Sequence, residues 1–432
     1  MKVSDNGRYL VDGNNKPFFY LADTAWKLFY EPSRKEALEY LMNRKEKGFT
    51  VIMPCVLGEC KKDTNERFCN YYGHEPLKNM DPKQPNEAFF ENVDYIIDKA
   101  NKIGLCIALL PTWGEFVGPL LWGKGPEIFD VENARIYGEF IGRRYKNSNI
   151  IWVIGGDRNP KEEKHLEIWR AMAKGIKAGD GEKNLMTFHP TAVHSSSQWL
   201  HEEPWLDFNM MQTGTRFDLD NYNLILKDYN KVPIKPTLEG EARYEHSHEF
   251  FYRKPPTGRH VTAHQVRKAA YNAVLSGAMG HTYGCRDVWS YNVPSDEVPT
   301  RDVCLHWKKA MDLPGAFNMG HLKKLMLDYP FCKLVPDQEK VLVVHGSEEG
   351  TCYIPAAISV DKDFALVYIP ENQPVYINMS VFKGEYICTL WYNPRKGVYI
   401  PGKCFSSTSS FVEFTPPGDD IEPDYVLVLK VK

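Results

Sequence analysis

The chain of 432 residues lacks a strong charge of either sign: 53 Lys and Arg stand against 56 Asp and Glu, a net charge of -3 at pH 7. Nucleic acid is therefore not expected as a partner, because phosphate binding needs clustered cations. The short basic runs, Arg44–Lys47 and Lys323–Lys324, read as solvated helix faces. No run of about 18 apolar residues occurs, so no helical membrane span is expected. The opening residues MKVSDNGRYLVDG hold no apolar h-region. The expected location is the cytoplasm, or outside the cell if a leader has been removed. None of the 10 cysteines sits in a C-x-x-C pair. The closest trio, Cys55, Cys60 and Cys69 with His74 nearby, fits no common zinc spacing, so no metal is expected. Several thiols fall in strand-like runs, where they read as small buried hydrophobes in a reducing compartment. A Gly-x-Ser-x-Gly elbow and a glycine-rich phosphate loop are both missing, and no cofactor is expected.

What is abundant is aromatic surface, 13% of residues, with 10 Trp and 24 Tyr. Rings both fill cores and stack on sugar C–H faces, so this content serves either end. After an N-terminal hairpin, apolar strand-like runs alternate with helical patterns, as in a parallel sheet with helical crossovers. The runs are Phe18–Ala22, Thr50–Val56, Leu105–Pro111, Ile150–Ile154, Leu185–His189, Phe208–Gln212, Ile234–Leu238 and Gly280–Tyr283. Helical patterns include Ser33–Lys47, Glu91–Lys102, Val131–Tyr145, Lys161–Lys177 and Thr262–Ser276. Ser33 and Glu36 have capping-box spacing, and Gly48 and Gly104 stand where helices stop. Val303–Leu327 reads as a long helical stretch broken at Pro314-Gly315.

Eight alternations over about 330 residues predict an α/β fold, a (β/α)8 TIM barrel over 1–332. From about Lys333 the helices cease. Short strands punctuated by Gly, Pro, Asn and Asp predict an all-β sandwich over 333–432.

Catalytic groups of such barrels lie at the C-terminal ends of the strands. Those ends carry Asp23 and Trp26, Glu59, Trp113 and Glu115, Asp157, His189, Gln212, then Glu239, Glu241, Tyr244 and Glu245, and finally Tyr283 with Trp289 beyond. A rim of carboxylates and aromatics is what glycoside cleavage uses: one carboxyl protonates the leaving oxygen while the other attacks or activates water. Asp157, after Gly155-Gly156, reads equally as a helix N-cap or as a catalytic acid. Glu239 and Glu241 share strand parity, so spacing alone leaves either as its partner. Asp23, Trp26, Trp113, His189, Gln212, Tyr244, Tyr283 and Trp289 are the candidate sugar contacts. For His189 and the tryptophans, simple packing is the competing reading.

Four segments, Ala22-Asp23-Thr24-Ala25-Trp26, Ile154-Gly155-Gly156-Asp157-Arg158, Gly240-Glu241-Ala242-Arg243-Tyr244-Glu245 and Gly280-His281-Thr282-Tyr283-Gly284, together resemble the apiosidase-like family, glycoside hydrolase family 140. The resemblance implies Asp157 as acid/base and Glu241 as nucleophile. It also implies an oligosaccharide substrate, with release of the branched pentose apiose from a pectic side chain. The tail resembles the sandwich named for collagen binding that follows this barrel. Two departures stand out: no secretion signal, and Ala242 where the family often has Pro. The competing classes are an endo-acting β-glycanase and a non-catalytic carbohydrate-binding protein. The oligomeric state is not legible.

Overall fold

A computed structural model describes residues 1–58, 68–118, 126–217, 221–250, 257–294, 305–345, 350, 353–408, 411–418, 422 and 424–432. Glu59, Cys60, Cys304 and Cys352 lie outside the described residues. The barrel strands are β1 (Tyr20–Thr24), β2 (Val51–Met53, resuming as Cys55–Leu57), β3 (Cys106–Thr112), β4 (Ile150–Gly155), β5 (Met186–His189), β6 (Asn209–Gln212), β7 (Thr237–Glu241) and β8 (Gly280–Tyr283). They pair in parallel in the order β6-β7-β8-β1-β2-β3-β4-β5. The seam between β5 and β6 is closed by Asp207 N–H donating to the Met186 carbonyl at 2.8 Å and by the Thr187 hydroxyl donating to the Phe208 carbonyl at 2.7 Å.

Alternate residues of these strands enter two different cores, as the period of two requires. Tyr20, Ala22, Val51, Met53, Ala108, Leu110, Ile151, Val153, Met210 and Leu238 fill the barrel interior. Leu21, Ile52, Ile107, Leu109, Trp152, Ile154 and Phe188 point outward into the helix layer. The N-terminal three-stranded sheet contributes Leu10 to the interior core.

The main helices are α1 (Arg34–Glu46), α2 (Glu87–Lys102), α3 (Val131–Tyr145), α4 (Glu163–Asp180), α5 (Asn221–Tyr229), α6 (Ala263–Leu275) and α7 (Pro314–Asp328). The Ser33–Glu36 capping box forms as expected, and Gly48 and Gly104 take φ of +90° and +77° just past their helices. Pro314 starts α7 rather than breaking a longer helix: its fixed φ suits the first helical position and its missing N–H is not needed there. Arg44 is a second correction. It is fully buried, not on a solvated face.

The C-terminal region forms a six-stranded sheet, ordered Leu334–Pro336, Ala356–Ser359, Phe364–Ile369, Tyr425–Val431, Tyr386–Asn393 and Val398–Ser406. A three-stranded sheet of Val343–His345, Val375–Ile377 and Val412–Phe414 accompanies it. Cys388 and Cys404 are paired residues on adjacent strands and are joined by a disulfide, so these two are not the free thiols expected. Against the barrel, Arg267 of α6 donates to both oxygens of Asp424 at 2.7 and 2.8 Å, to Glu422 at 2.6 Å and to Asn318 at 2.9 Å. Tyr271 of α6 stacks on Tyr368 of the sandwich with centroids 4.5 Å apart.

Candidate active site

The turn after β4 is built by three successive left-handed residues, Gly155 at +95°, Gly156 at +118° and Asp157 at +56°. A Cβ on Gly155 would sit 2.5 Å from the His189 carbonyl, and one on Gly156 would sit 3.0 Å from the Trp113 ring. The glycines therefore let this turn press against neighbouring protein. Asp157 is no helix cap: α4 begins at Glu163, with Glu162 as its N-cap. Instead its backbone N–H donates to His189 Nδ1 at 3.4 Å. That bond makes Nδ1 the acceptor and leaves the ring proton on Nε2. Nε2 lies 3.1 Å from Glu241 Oε2.

Glu241 reaches this point because of a β-bulge. Met211 pairs with Glu239, but Gln212 pairs with Glu241, so Gly240 is skipped in the register. The bulge breaks the alternation. Met211 packs in the helix layer, and Glu239 lies on that side too. Its carboxyl accepts from Thr213 Oγ1 at 3.1 Å and from Asn221 Nδ2 of α5 at 3.4 Å. Glu241, one face over, turns to the mouth beside Gln212. The shared parity expected for the two glutamates is thus corrected, and it removes Glu239 from the site. Burial pushes the Glu239 carboxyl up to about 8, against the pull of Thr213 and Asn221.

Burial also raises Asp157, to about 6, and the neighbouring charge of Glu241 adds to the shift. His189, Arg158 and a hydrogen bond from Thr191 oppose it. A carboxyl whose proton is held up towards neutral pH, next to a second carboxyl, is what paired acid and base work uses. Thr191 was not anticipated from sequence. It follows directly on His189-Pro190, and its backbone N–H is held by Asn159 Oδ1 at 3.1 Å.

Aromatics close around the pair. Trp26 meets Trp113 edge to face at 5.0 Å and His189 at 5.5 Å. Trp26 Nε1 donates to the Tyr244 hydroxyl at 3.0 Å, and Tyr244 hydrogen-bonds Glu241. Trp289 lies 6.2 Å from the Tyr244 ring. Gln212 Oε1 and Trp289 Nε1 are buried with no hydrogen-bond partner in the protein, an acceptor and a donor suited to hydroxyl groups.

Two expected sugar contacts face the wrong way. Asp23 is in register with Tyr283, and both share the outward parity of Leu21. Asp23 is fully buried, accepts from Tyr40 at 2.5 Å and pairs with Arg44 at 3.2 Å. Tyr283 donates to Glu245 at 2.6 Å, and Glu245 in turn accepts the Gly315 N–H at the start of α7 at 2.9 Å. These groups tie strands to helices. They do not line the mouth.

No three-residue cluster suited to a metal ion occurs among the described residues, and no helix there is long and apolar enough to cross a membrane.

A family model described as "Apiosidase-like, catalytic domain" matches residues 4–333, and one described as "Putative collagen-binding domain of a collagenase" matches residues 335–430. A solved structure described as a glycoside hydrolase is 29% identical, with a TM-score of 0.87, over 100% of this chain and 96% of its own. A glycoside hydrolase family 5 structure from Bacteroides vulgatus ATCC 8482 is also 29% identical, with a TM-score of 0.88, over 100% and 92%. A family 5 mannosidase from Rhizomucor miehei, 12% identical over 76% and 97% with a TM-score of 0.54, shares the fold alone. Comparison with curated proteins gives no match. With a bulge-directed glutamate and a half-buried aspartate set either side of His189 in a barrel of this lineage, the chain is a glycoside hydrolase and belongs to the apiosidase-like family.

Proposed function

We propose that the enzyme removes a terminal sugar, apiose or another pentofuranose, from plant-type oligosaccharides by a two-carboxylate retaining mechanism. The observation that carries this reading is the raised Asp157 carboxyl beside Glu241, with His189 accepting the Asp157 backbone N–H on one ring nitrogen and lying 3.1 Å from the Glu241 carboxylate with the other. Asp157, protonated below about pH 6, donates its proton to the glycosidic oxygen as the bond to the anomeric carbon breaks. Glu241 attacks that carbon and forms a glycosyl ester. Asp157, now a carboxylate, takes a proton from water, which cleaves the ester and regenerates both groups. Tyr244 hydrogen-bonds the Glu241 carboxylate and holds it in place, with His189 Nε2 3.1 Å away. Trp26, Trp113 and Trp289 supply ring faces, and Gln212 accepts from a sugar hydroxyl. The sugar assignment rests on the family relationship. The Cys388–Cys404 bridge favours an oxidising compartment over the cytoplasm as the place of action.

The test is a panel of aryl glycosides and pectic oligosaccharides, with the first-formed product followed by NMR. A released monosaccharide of unchanged anomeric configuration is expected. Inverted product, or cleavage within the chain, would overturn the mechanism or the terminal mode of action.

A further inference from the structure

We propose a second sugar-binding element on the catalytic face, a stacking platform made by Tyr71 and presented by the turn Asn70–Gly73. It would hold a sugar unit of the substrate beyond the one cleaved, and it rests on the hydrolase reading above. Turn tips ordinarily carry Gly, Asn, Asp or Ser, which keep water satisfied. This one carries two tyrosines at its centre, exposed by 59% and 44%.

The turn is rigid. Asn70 Oδ1 accepts the N–H groups of Tyr72 at 3.0 Å and His74 at 3.1 Å, and the Gly73 N–H bonds the Asn70 carbonyl at 2.8 Å. Gly73 at +81° completes the reversal. Tyr72 is an anchor: its hydroxyl accepts the backbone N–H of Arg34, the first residue of α1, at 3.0 Å. Tyr71 meets the Tyr72 ring edge to face, with centroids 5.2 Å apart and planes at 77°. Its ring is thereby oriented before any ligand arrives, which lowers the ordering cost of binding.

Position links the turn to the site. It lies in the connection from β2 to α2, and such connections build the catalytic face of a barrel. Phe68, two residues before Asn70 and so within about 7 Å of chain, packs on Tyr30 at 5.2 Å and on Phe116 at 5.9 Å. The Phe116 N–H bonds the carbonyl of Trp113, a wall of the mouth. A flat ring with a polar edge, on the face where a glycan chain must emerge, matches the apolar C–H face and hydroxyl rim of a sugar.

Saturation-transfer NMR of pectic oligosaccharides tests this independently of turnover, comparing Glu241→Gln with Glu241→Gln/Tyr71→Ala. The single variant should bind about two- to tenfold more tightly than the double variant. In the active enzyme, Tyr71→Ala should raise KM for the oligosaccharide by a similar factor, with Tyr71→Trp restoring it. It should leave an aryl glycoside, too short to reach the turn, within about twofold. Equal loss on both substrates, equal binding by both variants, or a concentration-dependent dimer that Tyr71→Ala dissolves would overturn the platform. Failure of every glycoside to be cleaved would instead refute the hydrolase reading, while the binding comparison would still decide the role of Tyr71.

Discussion

Replacing Asp157 by Asn should destroy activity and stabilise the protein, and the gain should depend on pH. In the folded chain the carboxyl is raised from 3.8 to about 6, by burial first and by the charge of Glu241 second. A raised carboxylic pKa means the folded state holds the proton more tightly than the unfolded one. Below pH 3.8 both states are protonated and nothing is lost. Between pH 3.8 and about 6 the folded state loses ground, and above about 6 the whole penalty applies. At about 1.4 kcal/mol per unit, the penalty reaches up to about 3 kcal/mol. Asn, nearly isosteric and uncharged, escapes it. Denaturant unfolding of wild type and Asp157→Asn at pH 4.5 and pH 8 should therefore give a gain near 3 kcal/mol at pH 8 and a much smaller one at pH 4.5. In a Glu241→Gln background the gain should shrink, since one source of the strain has gone. The same ionisation governs wild-type rate: kcat/KM should fall about tenfold per pH unit above about 6 as the acid form is lost. A variant less stable at pH 8, or a gain identical at both pH values, would refute the electrostatic account of the site.

The bulge at Gly240 separates two glutamates that differ by two positions, and activity should separate them as well. Glu241→Gln should lose orders of magnitude in kcat, whereas Glu239→Gln, replacing a carboxyl already neutral below about pH 8, should keep most activity in the same steady-state assay. Tyr244→Phe removes a hydrogen bond to the Glu241 carboxylate and should lower kcat about 10- to 100-fold with little change in fold, read by kinetics beside circular dichroism. Arg267→Met removes the bidentate partner of fully buried Asp424, leaving it Arg395 at 3.3 Å and the Tyr368 hydroxyl at 3.0 Å, and should cost up to about 3 kcal/mol in denaturant unfolding.

The linear order of residues was enough to determine the barrel and the sandwich, because each depends on a local period. Near-continuous apolar runs such as Ile150–Ile154 mark strands covered on both faces, and the caps at Ser33, Gly48 and Gly104 mark where helices begin and end. It also placed Asp157, Glu241, His189, Trp26 and Trp113 at strand ends, where a barrel gathers its chemistry. Which way a strand-end side chain faces was a different matter. One residue inserted in a ladder reverses a face, so the bulge at Gly240 alone decides that Glu241 and not Glu239 reaches the mouth. Asp23 and Tyr283 sit at the same depth as true mouth residues, yet their parity sends them into the helix layer with Arg44 and Glu245. The Cys388–Cys404 pair, 16 residues apart in sequence, likewise exists only because two strands bring those positions opposite each other. Composition and period are carried by neighbours in the chain. Facing, pairing and charge coupling are carried by neighbours in space, and only the closed barrel supplies those.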